Sequence, residues 1–157
     1  MVGLEASVKF FHVPKAEDEG VNVGWFSDQK YSSDEDGKSI DLPIAKVARW
    51  NEFGTKAGIP ARPFMTRSIF NNEKKWIEQL RTLVQRAIDE DKDIDEALKS
   101  FGEFAKGDIQ ATILAGGFAP NAKSTIRRKG AGKQPLIDTG VMISSIQART
   151  DKELLDV

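Results

Sequence analysis

Hydrophobic and polar positions change period along this chain. Val21, Val23 and Trp25 alternate with Asn22 and Gly24, the two-residue period of a strand with one buried face. Residues 5 to 13 are similarly rich in Val and Phe, and Pro14 with Glu17-Asp18-Glu19-Gly20 supplies turn chemistry between the two runs, so an N-terminal hairpin is predicted. From residue 41 the apolar spacing lengthens to three and four. Ile44, Val47, Ala48 and Asn51 share one face of a short helix, with Asp41 as its cap, Pro43 in its first turn and Gly54 at its end. Gly58, Pro60 and Pro63 then make a stiff corner, because each proline fixes φ and biases the residue before it toward extended geometry.

Pro63 opens a long helix in which Ile69, Phe70, Ile77, Leu80, Val84, Ala87 and Ile88 read as the buried stripe, ending near the acidic cluster at 89 to 93. A third helix begins at Asp93, where Asp93 and Glu96 form an Asp-x-x-Glu variant of the capping box. Its face is Ile94, Ala97, Leu98, Phe101, Ala105, Ile109 and Ile113, and Gly116-Gly117 terminates it. Residues 27 to 40 are polar and acidic and read as a flexible loop; residues 118 to 134 hold Pro120, Gly130, Gly132 and five bases and read as an exposed, mobile arm. Asp138 or Thr139 is placed to cap a short helical turn, and residues 146 to 150 and 153 to 157 read as two brief closing strands around Asp151-Lys152. The simplest architecture that buries these stripes is α+β: two long antiparallel helices plus a short helix, packed on a small, mostly antiparallel β-sheet.

The length of 157 residues fits a single domain, residues 1 to 157. A chain of that size typically buries roughly 68–70% of its unfolded surface. With 39% hydrophobic and 30% charged residues, the composition suits a globular fold rather than a disordered chain. The absence of cysteine excludes disulfides, thiolate metal sites and cysteine nucleophiles together. No basic segment followed by an apolar run opens the chain, and no stretch approaches 18 apolar residues, so the expectation is a soluble product made in the cytoplasm with no membrane partner.

A net charge of −1 argues against bulk nucleic-acid binding, but the charges are unevenly placed. Residues 15 to 41 carry eight acids against three lysines, and residues 89 to 96 carry six acids and one lysine. Residues 121 to 133 carry Lys123, Arg127, Arg128, Lys129 and Lys133 and no acid. Such polarity allows the basic arm of one copy to meet an acidic segment of the next, or the arm to neutralise phosphates; a solvated loop is the plain alternative. No aromatic residue is interleaved with the bases at 121 to 133, which removes support for single-strand stacking.

No catalytic, cofactor-binding or metal-binding set emerges. His12 stands on a predicted strand beside Phe10, Phe11 and Val13 without a Ser, Asp or second His at motif spacing. Ser32-x-Asp34-x-Asp36-Gly37 begins like a calcium loop, but Pro43 occupies the twelfth position where a bidentate Glu is required. Asp89, Asp91, Asp93 and Asp95 alternate at a helix junction and lack the central glycine. Gly130-Ala131-Gly132-Lys133 fails as a phosphate loop, because Arg127 replaces the first glycine, Gln134 the Ser/Thr, and Pro135 follows.

Five blocks stand in a fixed order: Ala48 with Glu52-Phe53-Gly54-Thr55; Ile59-Pro60-Ala61-Arg62-Pro63-Phe64; Pro120-Asn121 with Thr125 and Arg128-Lys129-Gly130; Pro135-Leu136-Ile137-Asp138-Thr139-Gly140; and Ser145-Ile146. Together they resemble the tail-completion, head-to-tail joining or neck proteins of long-tailed bacteriophages, with Met142 where that family more often has Leu. The resemblance implies a structural virion protein without enzymatic activity. It implies a homo-oligomeric ring, a hexamer, that connects the tail tube or tail terminator protein to the head-completion (stopper) protein and leaves a channel for DNA. The location would be the neck or head-proximal end of the tail, after synthesis in the host cytoplasm. The signature positions Glu52, Phe53, Gly54, Arg62, Pro63, Phe64, Asp138, Thr139 and Gly140 would then serve fold and assembly. Arg62, held between two prolines, is placed to pair with a carboxylate such as Glu52 or one on a neighbour; Phe53 and Phe64 would pack the corner; Asp138 and Thr139 would satisfy helix-start donors. The alternative function is a small DNA-binding accessory protein acting through the arm at 121 to 133.

Overall fold

A three-stranded antiparallel sheet and a pair of long helices build the protein in a computed structural model, which describes residues 9–12 as backbone, 20–32, 41–121, 123, 126–127, 134–137 and 139–155. The sheet runs in the order β1 (Lys9–His12), β2 (Gly20–Gly24), β5 (Gln147–Thr150), with β2 at its centre. The hairpin of β1 and β2 forms as the alternation predicts, and the register between β2 and β5 sets Val21 opposite Thr150 and Val23 opposite Ala148. Val21 and Val23 point into the core, and Asn22 on the other face donates to Asp151 Oδ1 at 2.7 Å.

Helix α3 (Ile94–Ala115) lies directly on this sheet, and α2 (Phe64–Asp89) packs against α3. The helices are antiparallel: the Ser68 hydroxyl meets that of Thr112, and two turns later the Trp76 indole N–H donates to Asp108, closer to the start of α3. Every position assigned to the apolar face of α3 from Ala97 to Ile113 is buried. Close approach to the sheet depends on Gly102, where a Cβ would stand 2.6 Å from Ala148 Cβ and 2.7 Å from Val21 Cγ2. Asp93 caps the helix as predicted, although its carboxylate takes the N–H of Asp95 at 2.9 Å, one position before Glu96. No helix among the described residues is long and apolar enough to cross a membrane.

Other expectations are corrected. Within the segment read as a flexible loop, β3 (Lys30–Tyr31) pairs with β4 (Leu42–Pro43), and the Ile44 N–H donates to Gln29 O at 3.0 Å; residues 33–40 lie outside the described residues. Pro43 is therefore the N-cap of α1 (Ile44–Phe53) rather than a first-turn residue, and Asp41 pairs with Lys30 instead of capping. On α2, Phe70 is 84% exposed and Ile77 and Ile88 are also outside the core, while Phe64, Met65 and Trp76 supply the buried face together with Leu80 and Ala87. Phe70, Ile77 and Ile88 are spaced by seven and eleven residues, so they form a second periodic line on the same helix.

Of the C-terminal strand predicted at 153 to 157, residues 153–155 instead belong to helix α5 (Asp151–Leu155), following the short α4 (Val141–Ser144) and β5, and residues 156–157 lie outside the described residues. Thr150 and Glu153 form a reciprocal capping box: the Thr150 N–H donates to Glu153 Oε2 at 2.9 Å, and the Glu153 N–H reaches Thr150 Oγ1 at 3.4 Å. Helix-start bonding at Thr150 ends the strand there.

Candidate functional site

The end of α1, the corner at 54–63, the start of α2 and the exit of α3 converge on one elbow. Gly54 makes the first bend with φ of 71°; a Cβ on it would lie 2.8 Å from Ile59 O and 2.9 Å from Ala61 N, so only glycine admits the returning strand of backbone. The Thr55 N–H donates to Ile59 O at 2.9 Å and the Thr55 hydroxyl accepts from the Ile59 N–H at 3.2 Å, which closes the turn. The Arg62 N–H then donates to Asn51 O at 2.6 Å and brings the chain back onto α1.

Arg62 is 5% exposed and its guanidinium makes four hydrogen bonds. Nη1 donates to Asn51 Oδ1 at 2.7 Å and Nε to Ala119 O at 2.8 Å, while Nη2 reaches Pro120 O at 3.1 Å and Asn121 Oδ1 at 3.4 Å. These acceptors are neutral, and burial lowers the Arg62 pKa from its usual value. Asn51 is locked in turn by its own amide donating to Val47 O at 3.0 Å. The rigid fork of arginine suits this task, since one planar group holds the end of α1 and residues 119–121 to the corner that carries it.

The expected Arg62–Glu52 tie does not form. Glu52, also 5% exposed, turns to the start of α2: Oε2 accepts the Met65 N–H at 2.9 Å, and Oε1 accepts the Thr66 N–H at 3.0 Å and its hydroxyl at 2.6 Å. Pro63, the N-cap of α2, offers no side-chain acceptor, so a carboxylate from the preceding helix satisfies the orphan donors and sits at the positive end of the helix dipole. Opposite charges close in sequence are thus spent on different neighbours because each faces a different set of unsatisfied backbone groups.

Phe64 fulfils its packing role, with no exposure and an edge contact to Trp25 at 5.7 Å between ring centroids. Phe53 does not: it is 54% exposed, with the Arg49 guanidinium 5.9 Å from its centroid. Arg67, unnoticed in the sequence, stacks 4.1 Å from the Phe118 centroid and donates to Gly116 O at 2.9 Å and Gly117 O at 3.3 Å. Gln134 likewise donates to Ile113 O at 3.1 Å and Leu114 O at 2.9 Å. Both ends of the segment read as a mobile arm are therefore anchored, Phe118 on Arg67 of α2 and Gln134 on the last turn of α3. The signal for Arg67 was its place one turn into α2, within reach of any helix end that the corner folds back upon.

Farther along, Gly140 with φ of 80° is the N-cap of α4, and among the described residues no side chain caps that helix, which corrects the role given to Thr139; Thr139 is exposed, and Asp138 lies outside the described residues. Lys123 and Arg127 are exposed, while Arg128, Lys129 and Lys133 also lie outside the described residues, as does the side chain of His12. Among the described residues no group of three His, Cys, Asp or Glu side chains is placed to hold a metal ion.

No family model, curated protein or solved structure matches this chain. Function is therefore read from the elbow itself. Its charged groups are consumed in tying α1, the corner, α2 and the α3 exit to one another, an arrangement that resists deformation.

Proposed function

We propose that this chain is a structural subunit of a bacteriophage virion: a tail-completion or head-to-tail joining protein that assembles into a ring between the tail tube or its terminator and the head-completion protein, with a channel for DNA. One observation carries the reading. Three signature segments, Asn51-Glu52-Phe53-Gly54-Thr55, Ile59 to Phe64 and, far downstream, Pro120-Asn121, meet at the Arg62 guanidinium, which binds Asn51, Ala119, Pro120 and Asn121. Three of the five blocks that carry the family resemblance thus have residues in one joint. A joint of this kind suits a subunit that must transmit load without changing shape.

Electron microscopy of purified particles carrying a labelled copy of the subunit tests the proposal. Label concentrated at the junction of head and tail, in a closed ring, is the expected result. Particles that assemble normally without the protein would overturn it.

A further inference from the structure

Resting on the ring reading, we infer that neighbouring subunits join head to tail, the knuckle of α1 on one copy seating on the α2–α3 turn of the next. The knuckle presents Phe53, 54% exposed, with Arg49 beside its ring and Lys46 over Trp50 at 5.2 Å. Its one acid, Glu52, is turned inward onto α2, so the outward face is apolar and cationic. The turn has the opposite character. Ile88 is 58% exposed there and is followed by Asp89, Glu90 and Asp91, all exposed, with Lys92 paired back to Glu90 at 2.6 Å.

Each patch therefore centres on an exposed apolar side chain; the knuckle's border is cationic, and the turn, where Asp89, Glu90 and Asp91 outnumber Arg86 and Lys92, is net acidic, so the two are complementary. They cannot meet within one molecule. Glu52 ties the knuckle to the start of α2 and the acidic turn follows its end; a 26-residue helix separates them by about 39 Å at 1.5 Å per residue. Complementary patches at opposite ends of a rigid body make a heterologous contact, which closes into a ring when the rotation per subunit allows. A single contact is small, and ring closure engages two per subunit, so the assembly gains from simultaneous engagement.

The cysteine-free sequence allows a clean test. Phe53→Cys and Ile88→Cys are introduced together, and the protein is oxidised mildly in solution and in assembled particles. The expected result is a ladder of disulfide-linked multimers on a non-reducing gel, with each single variant stopping at dimer or below. Adding Lys46→Glu and Arg49→Glu cuts the ladder about tenfold, and adding Asp89→Lys and Glu90→Lys to that variant restores it. No ladder in either setting, or a ladder indifferent to the charge reversals, overturns this contact; the ring reading survives if labelled subunits still mark the neck and falls with it if they are absent. If the reversals at Lys46 and Arg49 abolish a gel shift of duplex DNA without touching the ladder, the knuckle serves nucleic acid and the subunit contact is overturned.

Discussion

Glu52 and Thr66 share a single carboxylate oxygen, which accepts the Thr66 backbone N–H at 3.0 Å and the Thr66 hydroxyl at 2.6 Å. The other oxygen holds the Met65 N–H at 2.9 Å. Glu52→Ala strips three hydrogen bonds from the start of α2 and leaves a buried donor unsatisfied, so a loss of about 2 kcal/mol is expected. Glu52→Gln keeps one acceptor oxygen and loses about 1 kcal/mol. Urea denaturation with an unchanged slope and a lower midpoint checks both.

Arg62 tests whether planarity or charge matters at the elbow. Arg62→Lys preserves the charge but cannot span Asn51, Ala119 and Pro120 with a rigid fork, and is expected to lose about 2 kcal/mol. Faster amide exchange localised to residues on both sides of the elbow would accompany it. Wild-type stability in Arg62→Lys would mean that charge alone suffices.

Two glycines of α3 give opposite outcomes for the same substitution. Gly102→Ala drives a methyl into Ala148 and Val21, at 2.6 and 2.7 Å, and costs about 1–3 kcal/mol by overpacking. At Gly107 nothing lies within 4 Å of the added Cβ, so Gly107→Ala raises stability by about 0.5–1 kcal/mol through helix propensity. Thermal melting of the two variants side by side separates the effects.

Acid acts on the cluster around Thr150. The Thr150 backbone N–H, and then Lys99, hold the Glu153 carboxyl below its ordinary value of 4.5. Burial pushes Asp95 up, but bonding to Thr150 and to Lys99 outweighs it and leaves Asp95 below its ordinary 3.8. Carboxylates depressed on folding contribute stability that is fully present above their unfolded values and lost as pH falls through the folded ones. The melting temperature should therefore hold steady down to about pH 5 and fall below it, with a shallower fall in Glu153→Gln. A slope unchanged in that variant would remove Glu153 from the account.

The α3 face was legible because its apolar spacing has a single solution, and the hairpin because alternation marks its inner face. The α2 face was misread where two periodic lines compete: Phe70, Ile77 and Ile88 imitate a core stripe, and only packing against α3, where Asp108 accepts from the Trp76 indole, selects the line through Trp76. Thr150-x-x-Glu153 was a readable capping box overlooked beside the strand-like Leu154, Leu155 and Val157. At the elbow, the identities of Glu52 and Arg62 were evident but their partners were not. Proximity in sequence suggests mutual pairing, whereas backbone donors and carbonyls that become orphaned only after folding decide the outcome.

The acceptors Arg62 finds at Ala119, Pro120 and Asn121 lie 57 to 59 residues away along the chain. Such a knot cannot be tied until α2 and α3 have already formed and docked, because loop closure must precede contact. The expected outcome in Arg62→Lys is faster unfolding with the folding rate nearly untouched, checked by the two arms of a chevron plot. A joint completed last also governs how long the finished molecule endures.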